Sequence, residues 1–158
     1  MKHEVKVVTR SEAETMALGR FIGERATKDL FLALIGDLAA GKTHFVQGLA
    51  QGMGISGTVT SPTFTILNFY DAPLFLAHFD FYRLQNEEEL WNIGWEEYAA
   101  GGVTVAEWAE LFPHLIPADA FTLCFAVTGE TEREILISWE SERFSDLGKE
   151  LETYAAGH

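Results

Sequence analysis

Lys42 and Thr43 close the octapeptide Gly36-Asp37-Leu38-Ala39-Ala40-Gly41-Lys42-Thr43, a G-x-x-x-x-G-K-T pattern. Glycine at its first and sixth positions lets the backbone bend sharply and approach a ligand with no Cβ in the way. Successive N–H groups, from Asp37, Leu38, Ala39, Ala40 and Gly41, then converge on one concave nest. A helix starting behind them adds the positive end of its dipole. The chemistry that needs this is the cradling of a polyphosphate. Lys42 would bridge the β- and γ-phosphates, and the Thr43 hydroxyl would ligate Mg²⁺. Asp37 is placed to orient the loop backbone, and His44 stands next in line to donate toward an α-phosphate.

Such a loop works with a carboxylate that holds the metal or its waters from the end of a neighbouring strand. Two candidates fit. Asp80 ends the apolar run Leu74-Phe75-Leu76-Ala77-His78-Phe79, and Glu107 ends Val103-Thr104-Val105-Ala106. Both would emerge at the carboxyl edge of a sheet, where open α/β folds bind ligands. The plain alternative is that one of them terminates a strand at the surface, or pairs with Arg83. Ser61 and Thr63 are candidates to order a loop over the γ-phosphate, with turn-capping as the alternative. Thr9 and Arg133 are candidates for the adenine end. His78 reads as structural, with reach to the loop or to a partner interface as the alternative. Arg83 would either stabilise transition-state charge or pair with the Glu87–Glu89 run, itself a solvated helix start or a docking surface for a basic partner.

The elements that would carry these residues follow from pattern. Leu30 to Ile35 is apolar throughout, as a strand buried on both faces would be. Phe45, Val46, Leu49 and Ala50 recur at helical spacing over Lys42 to Gln51. The octapeptide therefore sits at a strand-to-helix turn. His3 to Thr9 alternates as a strand near a sheet edge. Ser11 and Glu14 form a capping box for a helix running to about Ala26, with Met16, Ala17, Phe21 and Ile22 on its inner face. Gly52 to Ser61 reads as a loop. Thr63 to Tyr70 and Pro73 to Asp80 form a hairpin, so the sheet is mixed. Asn86 caps a helix whose first turn is acidic. Gly102 to Glu107 is a buried strand, Ala120 to Val127 and Glu134 to Trp139 form a second hairpin, and Arg143 to Ala156 is a helix. No repeat or linker divides the 158 residues, so residues 1–158 are expected to form a single domain.

Composition narrows the partners. A formal net charge of −13 argues against a large nucleic-acid footprint and against an anionic membrane surface. The single cysteine, Cys124, lies in an apolar run and excludes an intrachain disulfide. No stretch is apolar for long enough to span a bilayer and no signal peptide is evident, so a cytoplasmic protein is expected.

Four segments in order carry a resemblance: the octapeptide, then Ser61-Pro62-Thr63-Phe64, then His78-Phe79-Asp80-Phe81-Tyr82-Arg83-Leu84, then Ala106-Glu107-Trp108. Together they resemble the bacterial TsaE (YjeE) family of ATPases, from the pathway that makes threonylcarbamoyladenosine in tRNA. The likeness runs from about Ser11 to Trp139. It implies an α/β fold of the P-loop nucleoside triphosphatase type, a mixed and mostly parallel sheet flanked by helices on both faces, with ATP and Mg²⁺ bound. The family's metal and catalytic carboxylates fall on Asp80 and Glu107, and its functional tryptophan on Trp108. Lys42, Asp80, Glu107 and Trp108 are thus the expected catalytic set, and Thr43, Glu107 and Asp80 the expected metal ligands. The resemblance implies a partner pair, TsaB- and TsaD-like, whose turnover ATP hydrolysis supports, with ADP as product and no stable tRNA contact by this chain. Two residues depart from the family pattern. Ala39 stands where glycine is usual, and His44 where a second Thr or Ser is usual; both bear on nucleotide affinity. Competing classes are a small-molecule kinase and a nucleotide-gated binding module with negligible hydrolysis. A kinase lid needs arginine, and no Lys or Arg lies between Arg83 and Arg133. A GTP switch is disfavoured because no N-K-x-D pattern occurs.

Overall fold

The apolar and alternating runs become strands of one sheet. The computed structural model describes residues 2–36, 41–55, 67–84, 86–92 and 94–157, with backbone alone at Arg83 and Tyr98. Strands β1 (His3–Thr9), β2 (Phe31–Ile35), β3 (Leu67–Tyr70), β4 (Leu76–Asp80), β5 (Val103–Glu107), β6 (Phe121–Val127) and β7 (Arg133–Trp139) pair in the order β1-β7-β6-β2-β5-β4-β3. The four central strands, β6-β2-β5-β4, are mutually parallel. Antiparallel partners extend the sheet at both sides: β7 and then β1 beyond β6, and β3 beyond β4. The two hairpins and the edge placement of β1 agree with the sequence pattern. β2 lies at the centre, between β5 and β6, as its unbroken apolar run requires.

Strand parity divides the core into two layers. Leu32 and Leu34 of β2, Val103 and Val105 of β5, and Leu123 and Phe125 of β6 face α1 (Glu12–Arg25), α2 (Lys42–Gly52) and α5 (Ser145–Ala156). On the other side Phe31, Ala33, Ala77, Phe79 and Ala106 pack with Leu90 of α3 (Glu88–Asn92) and Trp95 of α4 (Trp95–Tyr98). Helices therefore lie on both faces. Trp95 serves as the centre of the second layer, its ring edge-on to Phe31, Phe79 and Phe81.

The inner face of α1 differs from the one its apolar residues suggest. Ser11 caps the helix, its Oγ accepting from the Glu14 N–H at 3.1 Å. Glu14 returns a bond to the Arg10 N–H rather than to Ser11, so the capping box is displaced by one residue. The buried residues are Thr15, Leu18, Gly19, Ile22 and Gly23, while Met16, Ala17 and Phe21 are only partly covered. The cause is close contact with α2. A Cβ on Gly19 would lie 2.1 Å from the Phe45 carbonyl oxygen, and one on Gly23 would lie 2.2 Å from that of Leu49. Reciprocally, a Cβ on Gly48 would meet the Met16 carbonyl oxygen at 1.9 Å, and one on Gly52 that of Arg20 at 2.3 Å. Two G-x-x-x-G stretches thus interlock backbone to backbone. Four helical glycines cost about 1 kcal/mol each relative to alanine. Burying Leu18, Ile22, Phe45, Val46 and Leu49 at about 2 kcal/mol each outweighs that.

Candidate functional site

Topology collects the chemistry-bearing residues at one edge. The central parallel strands all end on the same side of the sheet, delivering the turn after β2, Asp80 after β4 and Glu107 after β5. β7 runs down and β1 runs up again, so Thr9, at the end of β1, lies opposite Arg133, at the start of β7, on that same edge. The first turn of α1 follows directly, which brings Ser11, Glu12 and Thr15 beside the first turn of α2.

The turn itself depends on glycine at both described ends. Gly36 has φ of 143°, and a Cβ there would sit 2.6 Å from the Phe125 carbonyl oxygen of β6. Gly41, at the cap of α2, has φ of 92°, a left-handed value that favours glycine. Asp37, Leu38, Ala39 and Ala40 lie outside the described residues, as do Ser61 and Thr63. The side chain of Arg83 is likewise outside the description.

Lys42 is almost fully buried. Its Nζ donates to the Gly36 carbonyl oxygen at 2.7 Å, lies 3.9 Å from Glu107 Oε1, and sits 4.6 Å from the centre of the Trp108 ring. Asp80 and Glu107 are neighbours across the β4–β5 ladder, both buried. The Tyr82 N–H donates to Asp80 Oδ1 at 2.9 Å. Burial pushes the Asp80 carboxyl above the usual carboxylate range; the Tyr82 bond pulls it back, and the nearby Glu107 pushes it up again. His78, also on β4 and completely buried, places Nε2 2.5 Å from Glu107 Oε2. The carboxylate oxygens of Asp80 and Glu107 thus lie together at a buried edge, with the Lys42 ammonium beside Glu107. Those oxygens, with the Thr43 hydroxyl one residue into α2, suit a hard divalent cation such as Mg²⁺.

Trp108 follows Glu107 with φ of 57°, a left-handed conformation rare for a side chain of its size. The bend lays its indole against Lys42 and against the exposed Tyr82 ring, 5.0 Å away between centres. Its Nε1 is buried with no hydrogen-bond partner among the described residues.

Outward from Lys42 the edge opens into a cleft of about 230 Å³, lined by Ser11, Glu12, Thr15, Gly41, Thr43, His44, Glu130, Thr131 and Arg133. Gly41, Thr43, His44 and Arg133 were anticipated here from the sequence. Thr9 lies beneath the cleft wall, its hydroxyl bonded to that of Thr15 at 2.8 Å. His44 Nε2 stands 3.4 Å from Glu12 Oε1. Glu12, Thr15, Glu130 and Thr131 were not singled out by pattern; the signal for them is strand direction, which needs the sheet order. The contact of His78 with Glu107 was missed for the same reason.

Comparison with known proteins places the chain by sequence and fold. Residues 9–135 match the family model described as threonylcarbamoyl adenosine biosynthesis protein TsaE. The chain is 39% identical over 150 residues to the tRNA threonylcarbamoyladenosine biosynthesis protein TsaE of Bacillus subtilis, covering 94% of each. It is 40% identical to the protein of that name from Treponema pallidum, over 85% of this chain and the whole of the other. In three dimensions it is similar to the crystal structure of Bacillus subtilis YdiB, with a TM-score of 0.81, 32% identity, and 98% and 97% of the two chains covered. On sequence and fold, the chain belongs to the TsaE family.

Proposed function

We propose that the chain binds ATP with Mg²⁺ and hydrolyses it in the cytoplasm as an accessory of the assembly that places threonylcarbamoyl on adenosine of tRNA. The observation that carries this reading is the burial of Lys42 between the Gly36 carbonyl and Glu107, one residue before Thr43, at the mouth of α2. The ammonium is thus held at the start of α2, within reach of the turn that begins at Gly36, and a triphosphate bound there would offer it charged oxygens in place of a neutral carbonyl.

Each residue then has a task. On binding, Lys42 exchanges the Gly36 carbonyl for β- and γ-phosphate oxygens and neutralises the charge that builds on them. Gly41 and the first turn of α2 present N–H groups to the same phosphates. Glu107, one oxygen turned toward Lys42, orients the attacking water and receives its proton. Asp80, held by the Tyr82 N–H, keeps a carboxylate at the metal's position. When bound, Mg²⁺ supplies Lewis-acid stabilisation of the phosphate oxygens. Trp108 screens the lysine from water with its ring face. Ser11, Glu12, His44 and Arg133 surround the outer part of the nucleotide.

The names of the relatives place those proteins in tRNA threonylcarbamoyladenosine biosynthesis. The net charge of −13 suits an accessory that meets proteins, TsaB- and TsaD-like, rather than holding tRNA itself. No helix among the described residues is long and apolar enough to cross a membrane.

The test is calorimetric titration of ATP into the full chain with and without Mg²⁺, followed by turnover measured alone and with the partner pair added. Magnesium-dependent binding and a rise in turnover with the partners are expected. Absence of ATP binding in both titrations removes the reading. Binding with no turnover under any condition replaces it with a nucleotide-gated module.

A further inference from the structure

His78 occupies a position that its neighbours on β4 fill with apolar side chains, Leu76, Ala77 and Phe79. It is 0% exposed, and its Nδ1 has no hydrogen-bond partner among the described residues. Burying a polar ring with one nitrogen unsatisfied is costly, and an apolar side chain would fill the space without that cost. What the ring contributes is its other nitrogen, 2.5 Å from Glu107 Oε2.

The register explains the reach. His78 lies opposite Val105 on the parallel ladder, and Glu107 is one pleat further on, on the same face of the sheet. With Nε2–H donating to the carboxylate, Nδ1 is left as the bare acceptor. The two oxygens of Glu107 are thereby divided. Oε2 is tied to the imidazole, and Oε1 is turned to Lys42 at 3.9 Å. A glutamate has three rotatable side-chain bonds, and the short bond to the imidazole restrains the last of them more tightly than the longer contact with Lys42 does.

We propose that His78 is a positioning residue that locks the Glu107 carboxylate in the orientation needed for the hydrolytic step. This rests on the reading of Glu107 as the group that orients water. His78 touches neither phosphate nor water; it acts through Glu107.

Two near-isosteres separate positioning from packing. In His78→Gln the side-chain amide reaches as far as Nε2, so the bond to Glu107 can persist. In His78→Asn the amide stops near Nδ1 and cannot reach. Single-turnover ATP hydrolysis by the full chain, ATP affinity by calorimetry and thermal melting are measured for both, and for His78→Leu as a second variant without the donor. The expected result is a loss of about 10- to 100-fold in the hydrolysis rate for Asn and Leu, with ATP affinity within about 3-fold of the parent. Gln is expected to hold the rate within about 3-fold. In a Glu107→Ala background, His78→Asn should cause no further loss. Equal rates for Gln and Asn, or a full additional loss in that background, overturns the proposal. If Glu107→Ala lowers hydrolysis while Asn and Leu do not, the proposal alone fails. If Glu107→Ala leaves hydrolysis unchanged, the role given to Glu107 fails with it.

Discussion

At the inner end of the sheet edge Lys42, His78, Asp80 and Glu107 are buried, whereas at the outer end, in the cleft, Glu12 and Glu130 stand in solvent with His44 and Arg133 half covered. The inner groups are tied by short contacts to backbone and to each other. At the outer end Arg133 donates to carbonyls of its own turn, those of Gly129 and Glu132, while Glu12 and His44 form a longer, more exposed pair. Charge–charge contacts of the second kind contribute about 0–1 kcal/mol and weaken with salt. Those of the first kind sit where water screens them little, so apart from the Lys42 bond to Gly36, which the proposed binding step exchanges, their geometry is set before a ligand arrives. On the function proposed above, the difference would put chemistry at the inner end and adjustment of affinity at the outer one.

Substitutions can break or sharpen that division. The largest effect is expected for Lys42→Ala. Losing two charge-assisted bonds to phosphate, at about 2 kcal/mol each, weakens ATP binding about 1,000-fold by calorimetry. Glu107→Ala should lower the hydrolysis rate by about 100-fold while ATP affinity changes less than about 3-fold; equal losses would make Glu107 a binding residue and erase the contrast. Gly48→Ala, remote from the cleft, gains about 1 kcal/mol of helix propensity but forces a methyl onto the Met16 carbonyl. A net destabilisation of about 1–3 kcal/mol in denaturant melts is expected. Arg133→Ala should weaken ATP only about 3- to 10-fold, in keeping with an exposed contact; a loss matching that of Lys42→Ala would put the outer end on the same footing as the inner.

The smallest expected effect concerns pH. The Asp80 carboxyl is held above its ordinary range chiefly by burial, with Glu107 adding to it. Its ionisation therefore costs the folded state stability as pH rises from the ordinary aspartate value through the raised one. Asp80→Asn keeps an acceptor for the Tyr82 N–H and removes that cost. Without nucleotide, its melting temperature at neutral pH should exceed the parent's, and the gap should close in acid.

Much of the inner end is legible in the residue pattern alone. An all-apolar strand, the octapeptide and a helical pattern in immediate succession give the strand-to-helix turn between β2 and α2, and an acid ending an apolar run places Asp80 and Glu107 at the same edge. The hairpins are readable from their turn residues, and α3 from Asn86, whose Oδ1 accepts from the Glu89 N–H. What escapes the pattern depends on relations between strands. Asp80 lies directly opposite Glu107, and His78 bonds to it, only because β4 and β5 are parallel and in that register. The inner face of α1 is misjudged because hydrophobic counting gives glycine no weight. The paired G-x-x-x-G spacings are present in the sequence, yet their meaning requires knowing that α1 and α2 touch. Thr9 is placed at the right edge but one layer too high, since its hydroxyl is spent on Thr15.

The interlock of α1 and α2 reaches further than its own stability. One jaw of the cleft, Ser11, Glu12 and Thr15, belongs to the start of the first helix; the other, Gly41, Thr43 and His44, belongs to the start of the second. With backbone seated on backbone along the shafts, the gap between these jaws has a set width and little play. Four absent side chains, at positions 19, 23, 48 and 52, thereby set the spacing of the jaws from a distance, and a methyl added at any of them would pry the mouth apart without lining it.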